Sequence, residues 1–567
     1  EEFGAIVLRA QSDGSLLHLR DVARVELGSE SYLQRGRFNG SPAVVLVIYQ
    51  SPDSNALAAA ANVREVMDEL ANAFPSDLRY AVSLDSTEAV AAGIEEIAIT
   101  LGLALFLVVL VVYLFLESAR ATLIPALTVP ISLIGACMVF PFAGFSINSL
   151  SLFGLVLAIG LVVDDAIVVV EAVQRKIEEG LKPRAATLAA MSEVANPVIA
   201  VALILSAVFV PVAFAGGITG RLYQQFALTI AISVLISAFN ALTLSPALCA
   251  KLLRPEAKVR RGPLGRFFDA FDRAFSRTTN GYIRIVRFGI RRLLLSVLFL
   301  LAFTALAAFL GTITKPGYVP AEDQGFLFAS FSLPEGASVE RTDEAMREVE
   351  RVLETTPGVD RYTTIVGYNF LAGASAPFFS LAFIGLDPWH DRDEPELGAA
   401  ALAGRLNGSL AGIPSLQGVI TPPPAIPGLG TTGGFSLYLQ DVGGELSAEG
   451  LADEVNRFVA AANERPELTG VLSPYRATVP QRRAVIDEAQ ALRQGVGIEA
   501  LYETLGTMLG GAYVNQFNRF GRTWNVYIEA DEEFRAAEDA LDLLYVRNEQ
   551  NDMVPLSALV RLEEMNG

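Results

Sequence analysis

Histidine, cysteine and lysine are nearly missing from this 567-residue chain, which has two His (His18 and His390), two Cys (Cys137 and Cys249) and five Lys. Two distant histidines and no C-x-x-C pair leave zinc without a ligand set. The seven Met are scattered, so no ladder of soft ligands for metal ions is present either, and no metal site is expected. Both cysteines sit in apolar stretches far apart, which excludes a disulfide framework and leaves the cellular compartment to be read from other features. There is no G-x-x-x-x-G-K-[ST] and no Lys follows a Gly, so ATP binding through a P-loop is excluded; a G-x-S-x-G nucleophile elbow is missing too. The chain is therefore not expected to be an enzyme or to carry a cofactor. A net charge of −19 argues against nucleic acid as a partner, because phosphate binding needs clustered Lys and Arg.

What the chain does have is length and apolar surface: 52% of its residues are hydrophobic, and the mean hydropathy is +0.41. Charge all but vanishes in six windows of about 20 residues, the length that crosses a bilayer: 97–116, 121–141, 149–171, 194–215, 223–249 and 293–313. The connections between them alternate. The stretch 141–148 is uncharged, 172–193 carries Arg175, Lys176, Lys182 and Arg184, and 251–292 carries twelve Lys or Arg, including "KVRR". By the positive-inside rule the basic loops face the cytoplasm. Residues 1–93 and 314–567 then lie on the outer side, the periplasm of a Gram-negative cell, and the protein is expected in the inner membrane as a multi-pass chain. Within 251–292, Leu264, Phe267, Phe268, Phe271 and Phe275 recur at helical spacing among Arg and Asp, the pattern of a helix lying flat on the inner leaflet or of an amphipathic core helix.

The third window reads "LAIGLVVDDAIVVVEAV" and holds Asp164 and Asp165. An ionised Asp at the bilayer centre costs about 2.5–3.5 kcal/mol even on the lenient insertion scale, so a proton or a cation must offset the pair. The functional reading is a proton or cation relay; the bland one is a pair permanently neutralised as packing glue. Ala158 and Gly160, within two turns, would let a neighbouring helix come close. No Lys or Arg occurs inside any of the six windows, so a counter-charge must come from elsewhere. In the fifth window Thr229, Ser233, Ser237 and Asn240 form a polar stripe at helical spacing, which lines a water path near the acids or simply packs helices.

The outer regions alternate strands and helices, so the fold class expected is a membrane helical bundle plus α+β domains. Strands at 43–49 and 78–84 around a helix at 55–73 make one β-α-β unit. Strands at 325–333, 361–367, 378–386 and 416–420 with helices at 338–355 and 396–411 give β-α-β-β-α-β, the order of ferredoxin-like domains. A further set has strands at 435–441 and 469–475 about a helix at 447–463, and 523–530 and 543–548 read as later strands. An internal repeat aligns "IVLRA" (6–10) and "LHLRDVARVE" (17–26) with "LYVRN" (544–548) and "VPLSALVRLE" (554–563). Because the chain begins at Glu1 without a Met or signal-like run, and begins and ends at equivalent points of that repeat, it is expected to be an internal piece of a longer, duplicated protein. The segment 361–389 joins a Gly- and Ala-rich loop to Tyr368, Phe370, Phe378, Phe379 and Phe383, which suits a site for varied apolar ligands or ordinary strand packing.

The stretches "FLESARATLIPALTVPISLIGA", "GFSINSLSLFGLVLAIGLVVDDAIVVVEAV", "LSAVFVPVAFAGGITGRLYQQFALTIAISV" and "PAEDQGFLFASFSLPEGAS" together resemble the resistance-nodulation-division (RND) exporters, specifically their multidrug, hydrophobe and amphiphile branch. The resemblance implies twelve spans in the full protein and a homotrimer joined to a periplasmic adaptor and an outer-membrane channel. It also implies that Asp164 and Asp165 are proton-relay acids facing a Lys of a second span bundle. On the same grounds 1–30 is the end of an N-terminal docking-like region, 31–93 a porter subdomain, and 94–250 five spans. Residues 251–292 are a cytoplasmic loop and 293–314 the sixth span. Two porter subdomains occupy 315–428 and 429–475, and 476–567 is docking-domain-like. The loop around Gly367 and Gly373 resembles the family's switch loop, with Tyr368 and Phe370 at its aromatic positions, while Thr363 stands where well-known members carry a pocket Phe. The function expected is proton-driven export of hydrophobic and amphiphilic compounds. The alternatives are a heavy-metal-ion exporter of the same superfamily, or a lipid-sensing membrane protein of this architecture that transports nothing.

Overall fold

A backbone inside hydrocarbon has no water to bind, so a charge-free run satisfies its N–H and C=O groups internally as helix. In the computed structural model of the chain, which describes residues 2–10, 12, 14–29, 31–51, 54–254, 263–314, 322–424, 435–468 and 470–566, six helices are long and apolar enough to cross a membrane. The chain divides into two compact units: Gln50–Tyr80 with Asp85–Pro320, and Glu1–Tyr49 with Ala81–Leu84 and Ala321–Gly567. Residues 31–49 and 81–84 belong to one unit, and 50–80 and 85–93 to the other.

The first unit starts with α1 (Ala56–Ala71), capped by Asn55, whose side chain accepts from the Ala58 N–H. There follow α2 (Thr87–Leu116), α3 (Ala119–Ala143), α4 (Ser149–Glu178), α5 (Pro183–Phe209), α6 (Gly217–Leu242), α7 (Leu244–Leu252), α8 (Pro263–Arg291) and α9 (Leu293–Ile313). Helices overrun the hydrophobic windows where nothing breaks them, so α2 starts at Thr87 rather than Ile97. At the start of α4, Asn148 and Ser151 cap each other: the Ser151 N–H donates to the Asn148 side chain at 3.0 Å, and the Asn148 N–H to the Ser151 hydroxyl at 2.9 Å. Its last turn carries Arg175 and Lys176, which suit the negative end of the helix dipole. α4 is the centre of the bundle, with Ile159, Val162, Val169, Val170 and Val173 almost fully enclosed. The amphipathic α8 rests its aromatic face on α2: Phe268 meets Tyr113 at 6.0 Å, and Phe271 and Phe275 meet Phe115 at 5.6 and 5.5 Å between ring centres. The "KVRR" stretch (258–261) lies outside the described residues.

In the second unit, β1 (Val7–Ala10) and β2 (Leu16–His18) form a hairpin. The main sheet takes β3 (Arg35–Phe38), β4 (Ser41–Pro42), β5 (Phe326–Ser332), β6 (Val359–Asn369), β7 (Ala374–Leu386) and β8 (Gln417–Thr421) in the order β4-β3-β6-β7-β5-β8, all neighbours antiparallel. Period-2 alternation sends Leu327, Ala329, Phe331, Tyr362, Val366, Ala382 and Ile384 to one face, where they pack with Met346, Val349 and Leu353 of α10 (Val339–Thr355) and Leu402 and Leu406 of α11 (Ala399–Leu410). β6 and β7 run longer than the runs 361–367 and 378–386, because residues 370–373 close a tight hairpin: Asn369 accepts from the Leu371 and Ala372 N–H groups at 2.8 and 3.1 Å. At Gly367, φ is +93° and an ideal Cβ would lie 2.0 Å from the Leu33 carbonyl oxygen. Gly367→Ala is expected to cost about 1–3 kcal/mol from the backbone conformation alone, more with the clash, and to appear as a lower unfolding temperature for this unit.

Four expected strands are not strands. Residues 43–49, 78–84, 435–441 and 470–475 carry no ladder, and Val44, Tyr49 and Tyr438 are 90%, 86% and 96% exposed. Their sequences have the β pattern, but a strand exists only by continuous pairing, and 43–49 and 78–84 touch the main sheet without forming a ladder: the Ala43 N–H donates to the Gly36 carbonyl at 2.9 Å, and the Ser83 carbonyl accepts from Arg361 Nε at 3.0 Å. The helix expected between the last two is present as Ala448–Asn463. The repeat is visible in backbone form: β1 and β2 followed by a single 3₁₀ turn at Leu19–Asp21 correspond to the hairpin Tyr545–Arg547 with Met553–Pro555, followed by the turn Leu556–Ala558.

Candidate functional site

Asp164 and Asp165 sit midway along α4, and adjacent residues on a helix point about 100° apart. The structure separates them accordingly. Asp165 is 7% exposed and turned toward α6, whereas Asp164 lies on the face of α4 that the described helices leave exposed. The close approach of α6 occurs at Gly154, where an ideal Cβ would lie 3.1 Å from the Phe226 carbonyl oxygen and from Thr229 Cβ. Ala158, one turn on, is fully enclosed, but Gly160 has open space around it and is not the contact. The signal for Gly154 was its position four residues before Ala158, a small-x-x-x-small row.

The α6 stripe is buried throughout, with Thr229, Ser233, Ser237 and Asn240 between 0% and 7% exposed, but its members do different things. The Ser237 hydroxyl lies 2.8 Å from Asp165 Oδ2 and 3.0 Å from the Val162 carbonyl oxygen. It has one proton and two acceptors, so it donates fully to one of them at a time. Ser233 donates to the Thr229 carbonyl at 2.7 Å, and the Thr229 hydroxyl has no partner among the described residues. Asn240 turns away from the acid toward α3: its Nδ2 donates to Ser132 Oγ at 2.8 Å, and Ser132 in turn donates to the Thr128 carbonyl at 2.9 Å. Ser132 and Thr128 were not expected, since α3 reads in sequence as a plain apolar span with three prolines. The sign they gave was a Thr and a Ser four apart on one helical face.

The aromatic candidates lie in the other unit, on the face of the main sheet opposite its helices. There Phe328 stacks on Phe370 at 5.7 Å and meets Phe383 edge-on at 5.6 Å. With Leu371, Leu381, Val419 and Thr421 these rings line a small cleft of about 330 Å³, counting the solvent at its mouth. Phe370 is 37% exposed and Phe383 half-buried. Phe378 and Phe379, their rings 4.6 Å apart, pack instead with Leu333 and Ala337 in a minor core and do not line the cleft. Tyr368 is half-buried at the end of β6, opposite Ser375. Phe328, a cleft residue not singled out in the sequence, was hidden in a strand whose alternation reads as core on both faces. Thr363, opposite Phe383 in the ladder, hydrogen-bonds Ser83. Among the described residues no group of three or more His, Cys, Asp or Glu is placed to hold a metal ion.

All of the chain, residues 1–567, matches the AcrB/AcrD/AcrF family. It is 38% identical to the multidrug export protein AcrF of Escherichia coli (strain K12), a match covering 100% of this chain and 56% of AcrF. It is 37% identical to the multidrug resistance protein MdtF of the same strain, over 100% of this chain and 56% of MdtF. With the multidrug/solvent efflux pump membrane transporter MepB of Pseudomonas putida it shares 39% identity over 99% of this chain and 54% of MepB. The chain spans about half the length of the curated relatives it matches.

Proposed function

The chain belongs to the AcrB/AcrD/AcrF family of RND multidrug exporters, and on that premise we propose that it is the part of a proton-driven exporter of hydrophobic and amphiphilic compounds that holds the proton-carrying acids and part of the substrate path. The observation that carries this reading is Asp165, a carboxyl enclosed at mid-helix in a membrane bundle and held by Ser237. A titratable group is kept in so costly a place when its change of charge is used. Protons arriving from the outer side, along the polar stripe of Thr229 and Ser233, titrate Asp165 with its neighbour Asp164. The change of charge biases how α4 and α6 pack, and the outer domains open and close around the cargo.

The strand order β6-β7-β5-β8 with two helices on one face supports naming 315–428 a ferredoxin-like porter subdomain. The Phe328, Phe370 and Phe383 cleft is the natural apolar contact for cargo there, beside a switch loop pivoting on Gly367 and Gly373. The other porter parts are 31–93 and 429–475, and the docking parts 1–30 and 476–567. We place the pump in the inner membrane with its large domains in the periplasm, as a homotrimer working with a periplasmic adaptor and an outer-membrane channel. Accumulation of a fluorescent amphiphile in cells that express the full-length protein tests the reading. Low accumulation that rises to the level of pump-free cells on adding a proton uncoupler is expected; accumulation that is high with or without uncoupler refutes export.

A further inference from the structure

We propose that the hydrogen bond between Asn240 and Ser132 is the inner gate of the proton path, closed in this structure, which controls release of the proton from Asp165 toward the basic end of the bundle. The inference rests on Asp165 being the proton carrier. It adds two residues on separate helices and a role that the outer half of the polar stripe does not have.

Direction comes first. α6 runs from Gly217 toward the end of the bundle where α3 begins at Ala119, near Arg120, and where α4 ends after Arg175 and Lys176. Thr229 and Ser233 therefore lie on one side of Ser237, and Asn240 lies nearly a turn beyond it, toward the basic end. From Asn240 the polar line does not continue down α6. It crosses to Ser132 at 2.8 Å and descends α3 through the Thr128 carbonyl at 2.9 Å, and the Thr128 hydroxyl donates on to the Ile124 carbonyl at 3.1 Å. Asn240, Ser132 and Thr128 are 7%, 0% and 2% exposed. This is a direct, dry contact with no width for water between the two side chains.

A paired Asn and Ser inside an apolar bundle is not needed for stability, because an apolar pair of the same shape serves as well. The pair does supply polar groups that bind water once they part. When Asp165 is protonated, its oxygen no longer attracts the Ser237 hydroxyl as an anion does, and that hydroxyl has the Val162 carbonyl as its alternative at 3.0 Å. α6 is then free to shift, and Asn240 leaves Ser132. Water entering between them accepts the proton from the Asp165 carboxyl and carries it inward. The carboxylate re-forms and recaptures Ser237, and the gate closes. Asn240 and Ser132 never carry the proton themselves; they are positioning residues.

The test uses the full-length protein in proteoliposomes with a pH-sensitive dye inside and an imposed pH gradient. Ser132→Ala and Asn240→Val each remove the bond. Both variants are expected to leak protons in the absence of cargo about tenfold faster than the wild type, the change in an open–closed ratio that loss of one buried hydrogen bond produces. The double variant leaks no faster than either single one, because one bond is lost in all three and the double variant keeps neither polar group to bind the entering water. A merely structural pair would lower protein yield and cargo export without raising cargo-free leak. If Ser132→Ala leaks as the wild type does while Asp165→Asn stops cargo-driven proton flux, the gate is refuted and the relay stands. If Asp165→Asn leaves that flux unchanged, relay and gate fall together. Should Asn240→Val not accumulate in membranes, Ser132→Ala decides alone, since it deletes a single oxygen.

Discussion

Asp165→Asn is expected to abolish the proposed export, with resistance falling to that of cells lacking the protein, while the variant still reaches the membrane in normal amounts. The substitution changes charge and almost nothing else. The amide oxygen of Asn can accept from Ser237 as a protonated carboxyl does, more weakly than the carboxylate, so the variant stands in for the neutral state of Asp165. The enclosed surroundings of residue 165 favour a neutral side chain, because an ionised one costs about 2.5–3.5 kcal/mol at mid-bilayer. The variant is therefore no less stable than the wild type, and its loss of activity reports titration alone. Asp164→Asn is expected to give the same loss of export for a different local reason. Among the described residues Asp164 has no counterpart of Ser237, and it looks out from the bundle face that the described helices leave exposed, so its charge acts on whatever covers that face. Dye efflux in cells, with size-exclusion chromatography of the purified variants, checks both. Wild-type efflux in either one removes that acid from the relay.

The membrane half of this architecture was legible because hydrocarbon allows few solutions. An apolar run of about 20 residues becomes a helix whatever its neighbours do, and all six emerged where such runs lie, the acid pair of the third included. The strands at 43–49, 78–84, 435–441 and 470–475 were misread for the opposite reason. Val44 and Tyr438 sit in runs of high β propensity, but propensity is a preference for a surface that another strand must supply. The site divided along the same line. That Asp165 was exceptional could be read from composition alone, but whether Asp164 or Asp165 faced α6 depended on a rotation of 100° that no local pattern fixes. Ser132 was invisible for a similar reason: its partner Asn240 is 108 residues away. Among the aromatics, Phe378 and Phe383 are chemically identical in sequence. Strand parity sends Phe383 to the open face, while the end of the β6–β7 hairpin tucks Phe378 against Leu333.

Arg37 is the second place where one substitution has a large consequence, this time for stability. It is 7% exposed, and its Nε lies 2.8 and 3.0 Å from the two carboxylate oxygens of Glu350; Asp343 takes Nη1, and Thr364 donates to Glu350. The arginine arrives on β3, more than 300 residues before the helix and strand that hold its partners, so it pins a remote segment to the sheet. Burial alone would raise the pKa of Asp343, but the hydrogen bond and charge of Arg37, with help from Arg347, outweigh it and hold that carboxyl below its ordinary value. A depressed folded-state pKa stabilises above the unfolded value of about 3.9 and is lost as pH falls through the folded one. Arg37→Met leaves buried Asp343 with only Arg347 and buried Glu350 with only Thr364 in place of the shared arginine, and is expected to destabilise this unit by about 3–5 kcal/mol at neutral pH. With the arginine gone, burial raises the Asp343 pKa, so the acid limb of the stability curve begins at higher pH than in the wild type. Replacing the whole cluster, R37M with D343L and E350L, removes the stranded charges and is expected to recover most of that loss. Both tryptophans of the chain, Trp389 and Trp524, lie in this unit, and Trp389 donates to the Asp323 carbonyl beside β5 at 2.9 Å. Intrinsic fluorescence during thermal unfolding in detergent, repeated from pH 4 to pH 7, therefore reports on this unit. An Arg37→Met protein that unfolds with the wild type at every pH would show that β3 is held by its ladder to β6 and not by the buried charges.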